Sequence, residues 1–227
     1  FPTRRSSDLS FMQFQTFFDL FNYNAALFIV TLGLCVVMIG GGIDISVGAV
    51  CGLVTMACAM LLQYGTGSIF GSLLLALGIG LAFGIVHGFL IAYLEIQPFI
   101  ITLAGMFFAQ GMLTTLHKEP LNVTNPAFVA LRSYTIEIPW LGTVNRLGIF
   151  IPCEIKPGVI VVLVLVVLYF ILMKWSRFGR NVYAVGGNRQ SARMLGINVK
   201  RTIFLTYVLC GLTAGISGFV FLMTTGA

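Results

Sequence analysis

Long apolar runs organise this chain. A bilayer core about 30 Å thick is crossed by roughly 17–25 apolar residues in a helix, and five regions of the chain reach or approach that length. The clearest, 158–173, has sixteen residues with no polar side-chain group except the Tyr169 hydroxyl. Lys156 and Lys174 flank it, placed to snorkel to opposite interfaces. Residues 202–223 form a second run, rich in small side chains. Residues 98–116 form a third, with Thr102, Gln110 and Thr114 on related turns, and 69–94 a fourth, long enough to span with tilt. The run 25–62 exceeds one span and is interrupted by Gly-Gly-Gly-Ile-Asp-Ile-Ser-Val-Gly at 40–48, which predicts two short helical pieces around a break. The fold class expected is all-α: a polytopic transmembrane helical bundle with at least five to six spans and one glycine-broken helix.

One run also carries a packing code. Ala76, Gly80, Gly84, Gly88 and Ala92 recur every four residues, making a ridge almost without side chains on which another helix can lie closely. Gly211, Gly215 and Gly218 repeat the pattern in the last run. Such ridges say that helices meet; they do not say what passes between them.

Composition closes off the soluble classes. Of 227 residues 58% are hydrophobic and 9% charged, and the mean hydropathy is +1.00, whereas soluble domains carry about 25% charged residues. Thirteen basic and seven acidic residues give a net charge of +6, and seven of the basic ones fall in 174–201 without an acid among them. A basic loop between two apolar runs marks a cytoplasmic segment, not a nucleic-acid surface. That orientation puts 118–157, with four basic and three acidic residues and five of the seven prolines, outside as an irregular, partly folded loop with Trp140 as an interface anchor. It also makes 95–98 a cytoplasmic turn and 63–68 an external one.

Candidate chemistry is sparse. Phosphate-loop, H-E-x-x-H and G-x-S-x-G signatures are absent from the sequence, so no catalytic residue is assigned and any ATP must be bound by another chain. The five cysteines form no C-x-x-C pair and read as small apolar fillers; with His87 and His117 far apart, no metal site or cofactor is expected in this chain. Asp44 stands out, because a carboxylate inside an apolar run is a functional hypothesis by default. Two readings stay open: Asp44 or Ser46 caps the helix after the break, or the broken segment lines a transport path. Few other ionisable groups lie in or beside the spans, which argues for an external energy source and an uncharged solute. Thr102 and Gln110, with Phe99 and Phe107 nearby, offer hydrogen bonds and aromatic faces to a sugar-like molecule, or serve as helix-to-helix and lipid contacts.

Within the basic segment, residues 189–195 form a short helix candidate with Asn188 as N-cap and Gly196 as terminator, suited to a socket in a soluble partner. At the beginning, residues 1–9 have neither an apolar core nor a small-residue cleavage site. They resemble a translated sequencing-adapter scar and are set aside as non-native. The domain is therefore taken as 10–227, expected to be a piece of a longer membrane chain truncated at both ends.

Three stretches carry a family likeness: Gly-Gly-Ile-Asp-Ile-Ser-Val-Gly (41–48), Pro-Phe-Ile-Ile-Thr-Leu-Ala-Gly-Met-Phe-Phe (98–108), and Val-Tyr-Ala-Val-Gly-Gly-Asn (182–188) through Gly-Ile-Asn-Val-Lys-Arg (196–201). Over about 10–227 the chain resembles the ribose/monosaccharide ABC-transporter permease family, the middle stretch looking most like galactofuranose-type permeases. The resemblance implies a subunit of a bacterial inner-membrane importer. Its partners would be a second permease, identical or not, cytoplasmic ABC ATPases and a periplasmic sugar-binding protein. It places Gln190, Ser191, Ala192, Arg193 and Gly196, with Asn188 and Arg189, where such permeases carry an E-A-A-x-x-x-G coupling helix. Here Gln replaces Glu and Ser replaces the first Ala. The competing expectation is a secondary carrier that binds solute and ion at 40–48; an intramembrane enzyme is more distant, since Asp44 has no acidic partner in another span.

Overall fold

Among the described residues, six helices are long and apolar enough to cross a membrane. They are α1 (Phe14–Ile39), α2 (Val47–Tyr64), α3 (Ile69–Ala92), α4 (Pro98–Leu116), α6 (Pro157–Trp175) and α9 (Val199–Thr225). Between α4 and α6 lie α5 (Pro126–Ser133) and an antiparallel pair, β1 (Ile136–Val144) and β2 (Phe150–Ile155). Between α6 and α9 lie α7 (Arg177–Gly187) and the short α8 (Arg189–Met194). The structure is a computed structural model describing residues 14–65, 67–117, 119, 121–144 and 150–226. The segment 1–9, read as non-native, lies outside them, as does the Trp140 side chain.

This is the polytopic helical bundle expected, with one change at the break. Residues 40–46 separate two full-length helices of 26 and 18 residues, where the pattern suggested short pieces. The first takes in the polar residues before 25, and two of these, Gln15 and Asn22, have tertiary partners. Asn22 Nδ2 donates to the Glu154 carbonyl at 2.9 Å and its Oδ1 accepts from Lys156 N at 2.9 Å, tying α1 to β2.

α9 is the central post, packed against α1, α2 and α3. The small-residue ridges expected from the sequence are what it uses. Ala76, Gly80, Gly84 and Gly88 are all buried on α3, and their backbones lie against Phe204, Tyr207, Gly211 and Gly215 of α9. Hydrogen bonds between helices join the same post: Ser217 Oγ donates to the Ala26 carbonyl at 2.7 Å, and Thr55 Oγ1 to the Gly218 carbonyl at 2.9 Å. In hydrocarbon such polar contacts hold helices together where no hydrophobic drive acts between them. The large apolar side chains of α6, among them Leu163, Val164, Val167 and Phe170, are exposed, as a lipid-facing helix requires.

The loops gather at two ends. At one end α5 and the β pair meet the start of α1 and the ends of α2 and α9, through Gln63–Thr124, Asn125–Gly67 and Arg132–Thr225 contacts. The other end holds the 40–46 break, the 93–97 turn, α7 and α8, joined by Lys200–Glu95 and Arg189–Gly41 contacts.

Candidate functional site

The break is a built feature. α1 ends on bonds from Gly40 N to the Val36 carbonyl and from Gly42 N to the Val37 carbonyl, with Gly41 at φ +76°, a conformation that suits glycine. Tyr207 Oη of α9 donates to the Ile43 carbonyl at 3.0 Å. Asp44, 6% exposed, then accepts at Oδ1 from both Ser46 N (2.9 Å) and Ser46 Oγ (2.6 Å). The carboxyl thus satisfies a backbone donor of the turn that leads into α2, while Ser46 makes no side-chain cap of its own.

Behind this turn stands His87 of α3, its Nδ1 3.5 Å from Ser46 Oγ. Phe83 meets its ring edge-on at 5.8 Å, and Gly105 of α4 leaves the room the ring occupies, since a Cβ there would overlap it. Asp44, Ser46 and His87 therefore link the break to α3 and α4 around a space of only about 10 Å³, lined also by Gly84, Gly211 and Ala214. Removing the acceptor should expose its structural share. Asp44→Ala is expected to lower thermal stability by about 1–3 kcal/mol, the cost of a buried donor left without a partner. Asp44→Asn, which keeps an acceptor, should retain most of that stability. Melting of both purified variants in detergent checks this, and equal losses would remove the turn-holding role.

The remaining pathway candidates do not join this cluster. Thr102 is buried and its hydroxyl donates back to the Pro98 carbonyl at 2.9 Å, while Phe99 and Gln110 are exposed on the outer face of α4. A space of about 450 Å³ between α1, α2 and α9 instead gathers Tyr23, Asn24, Cys51, Ser217 and Phe221. The sequence pattern missed it because these residues come from three separate helices.

α8 has the form expected for 189–195. Asn188 Oδ1 accepts from Ser191 N at 2.9 Å, the helix ends at Met194, and Gly196 at φ +78° turns the chain back. Ala192 is buried against Val185 and Val199, whereas Arg189, Gln190, Ser191 and Arg193 are exposed. Two apolar side chains at the tip, Met194 and Leu195, are 77% and 76% exposed. The unexpected element is α7, whose Val182 and Val185 are buried and whose Gly186 lies on the Ile39 carbonyl. Arg189 reaches the Gly41 carbonyl at 3.5 Å. The α7–α8 segment and the break are in direct contact.

Among the described residues no group of His, Cys, Asp and Glu could hold a metal ion. Comparison with known proteins gives a consistent relationship. The family model described as "Branched-chain amino acid transport system / permease component" matches residues 16–227. The inner membrane ABC transporter permease protein YjfF of Escherichia coli K12 is 35% identical over 90% of this chain and 58% of its own length. The fructose import permease protein FruG of Bifidobacterium longum is 31% identical over 92% of this chain and 60% of its own. The galactofuranose transporter permease protein YtfT of Escherichia coli K12 is 34% identical over 89% and 54%. The chain thus spans less than two thirds of these relatives' length. No solved structure matches.

Proposed function

The chain belongs to the branched-chain amino acid transport system / permease component family, and on that premise we propose that it is the permease subunit of an ATP-binding-cassette importer carrying a monosaccharide across the bacterial inner membrane. The chain itself is a multi-pass membrane protein. It binds no ATP in this reading: a separate cytoplasmic ABC ATPase supplies the energy, a periplasmic sugar-binding protein delivers the solute, and a second permease subunit completes the path.

The observation that carries the reading is the contact between α8 and the break. A capped helix with an exposed apolar tip offers a docking surface, and Arg189 and Gly186 touch the end of α1 directly. Force applied at α8 acts on the glycine turn and, through Asp44, Ser46 and His87, on α3 and α4. Rigid-body rocking of the spans then follows from closure of the ATPases; no covalent bond changes in this subunit. The seven Lys and Arg residues of 174–201 support a cytoplasmic position for this end, with α5 and the β pair outside.

A sugar suits the walls better than the amino acid of the family's description. The space between α1, α2 and α9 presents an amide, a hydroxyl, a thiol and two aromatic rings, without a charged side chain for a zwitterion's carboxylate and ammonium. The secondary-carrier alternative would bind its ion at 40–48, where the carboxylate, Asp44, is already taken by the Ser46 backbone and hydroxyl. The full transporter, reconstituted in vesicles with its ATPase and binding protein, should take up ribose, galactose or fructose only with ATP on the cytoplasmic side. Uptake should be indifferent to ionophores. Uptake driven by a proton or sodium gradient without ATP would select the carrier instead.

A further inference from the structure

At the cytoplasmic end of the bundle, the ends of α3, α4, α8 and α9 enclose a cavity of about 340 Å³, apart from the space between α1, α2 and α9 and lined in part by the helix read above as docking the ATPase. Three cationic side chains line it, Arg189 and Arg193 from α8 and Lys200 from α9, against one carboxylate, Glu95. Lys200 Nζ lies 2.9 Å from Glu95 Oε1, the one ion pair among the described residues; neither arginine pairs a carboxylate, though Arg189 also reaches the Gly41 carbonyl at 3.5 Å and the charge of Arg193 acts on Glu95. Part of the lining is different in kind: Ile91, Ile96, Val199 and Ile203 are apolar, and Pro98, the first residue of α4, lines the space beside them.

We propose that this cavity is a binding site for a phosphate group. Arginine pairs recognise phosphate oxygens by forked, charge-assisted hydrogen bonds. Two sources share that chemistry, the head group of an anionic phospholipid in the inner leaflet and a soluble phosphate. The lipid is favoured by the apolar part of the lining and by the position at the ends of membrane spans, where basic pockets between helices hold anionic head groups. The Glu95–Lys200 pair sets the strength: Glu95 competes with the phosphate for Lys200, and Lys200 in turn holds the Glu95 carboxyl below its ordinary pKa. Because α8 supplies two of the cations, an occupant would also tie α8 to the ends of α3 and α4. The site needs only the membrane placement of the chain and does not depend on the importer reading.

The full-length protein in nanodiscs of phosphatidylcholine, with and without phosphatidylglycerol, tests this by native mass spectrometry and melting temperature; inorganic phosphate and glycerol phosphate serve as soluble probes. Phosphatidylglycerol should be retained as a bound adduct and should raise the melting temperature. Arg189→Gln and Arg193→Gln should each weaken that binding about tenfold, the scale of one charge-assisted contact. Glu95→Gln should strengthen it, a gain that a merely destabilising change would not produce. If the soluble phosphates bind with the same variant pattern and the lipid does not, the site stands and its source is the solute. If neither binds, or if binding survives in both arginine variants, the proposal falls. It falls equally if those variants lose only association with the ATPase.

Discussion

Gly211→Leu is expected to break the centre of the bundle, with loss of the monodisperse protein peak in detergent, while Gly78→Leu on the same helix pair leaves it intact. A Cβ at Gly211 would overlap the Gly80 carbonyl and sit 2.7 Å from Gly84 N and Cα. Those are backbone atoms of a hydrogen-bonded helix and cannot swing aside. The clash is reciprocal, since a Cβ at Gly80 would overlap the Gly211 carbonyl, and Gly215 stands in the same way against the Ala76 carbonyl. Even Gly211→Ala forces α3 and α9 apart, at about 1–3 kcal/mol for overpacking. Leucine adds three carbons and separates the helices along the whole ridge, so the dispersion contacts of neighbouring turns are lost as well. A Cβ at Gly78 would meet nothing within 4 Å, and the residue faces outward. Replacing glycine there removes a helix-weakening residue instead. Thermal melting followed by size-exclusion fluorescence would decide the matter. A Gly211→Leu protein melting within two or three degrees of the unsubstituted chain would show that the two helices do not meet backbone to backbone.

That ridge was legible because it depends on one helix at a time. A four-residue spacing of glycines lies on one face of α3, and the matching spacing on α9 needs only to be set opposite. The spans were legible for the same reason, as length and apolarity are local properties. What escaped the pattern has partners far along the chain. The apolar run was read from residue 25, past Gln15, Asp19, Asn22 and Asn24, whereas α1 includes them and Asn22 is bonded 132 and 134 residues away. Asp44 could be singled out, and its partner Ser46 lies two residues on, but His87 is 41 residues from Ser46 and carries no local mark of belonging to it. Phe99, Thr102 and Gln110 were grouped by chemistry, and helical geometry put Thr102 inside and the other two outside. For α7 a signal did exist. Phe178, Val182 and Val185 have the spacing of an amphipathic helix, but the dense positive charge around them reads more loudly as a loop.

On the proposed docking of α8 to an ATPase, Met194→Ser with Leu195→Ser should abolish that association while leaving this chain's own fold unchanged. The two side chains stand side by side at the end of α8, each more than three-quarters exposed, at the end of the molecule where the basic segment gathers. A methionine–leucine pair in water is unfavourable unless something covers it, and full burial of each is worth about 1.5–3 kcal/mol. Losing both should weaken association by about 3–6 kcal/mol, about a hundredfold to more than ten-thousandfold and beyond the reach of a pull-down at micromolar concentration. The fold should survive because α8 is held from the other side. Ala192 is buried against Val185 and Val199, Asn188 caps the first turn, and Gly196 closes the last. None of these is touched by the double change. Deleting 189–195 goes further and should abolish association outright, with the spans still inserted. Gln190 and Ser191, where coupling helices of the resembled family carry Glu and Ala, are exposed and make no ion pair, so docking here rests on shape and apolar burial. Salt therefore separates the readings: association that is insensitive to 0.5 M sodium chloride but lost in the double serine variant fits an apolar socket. Full retention of the ATPase by that variant would move the coupling surface elsewhere.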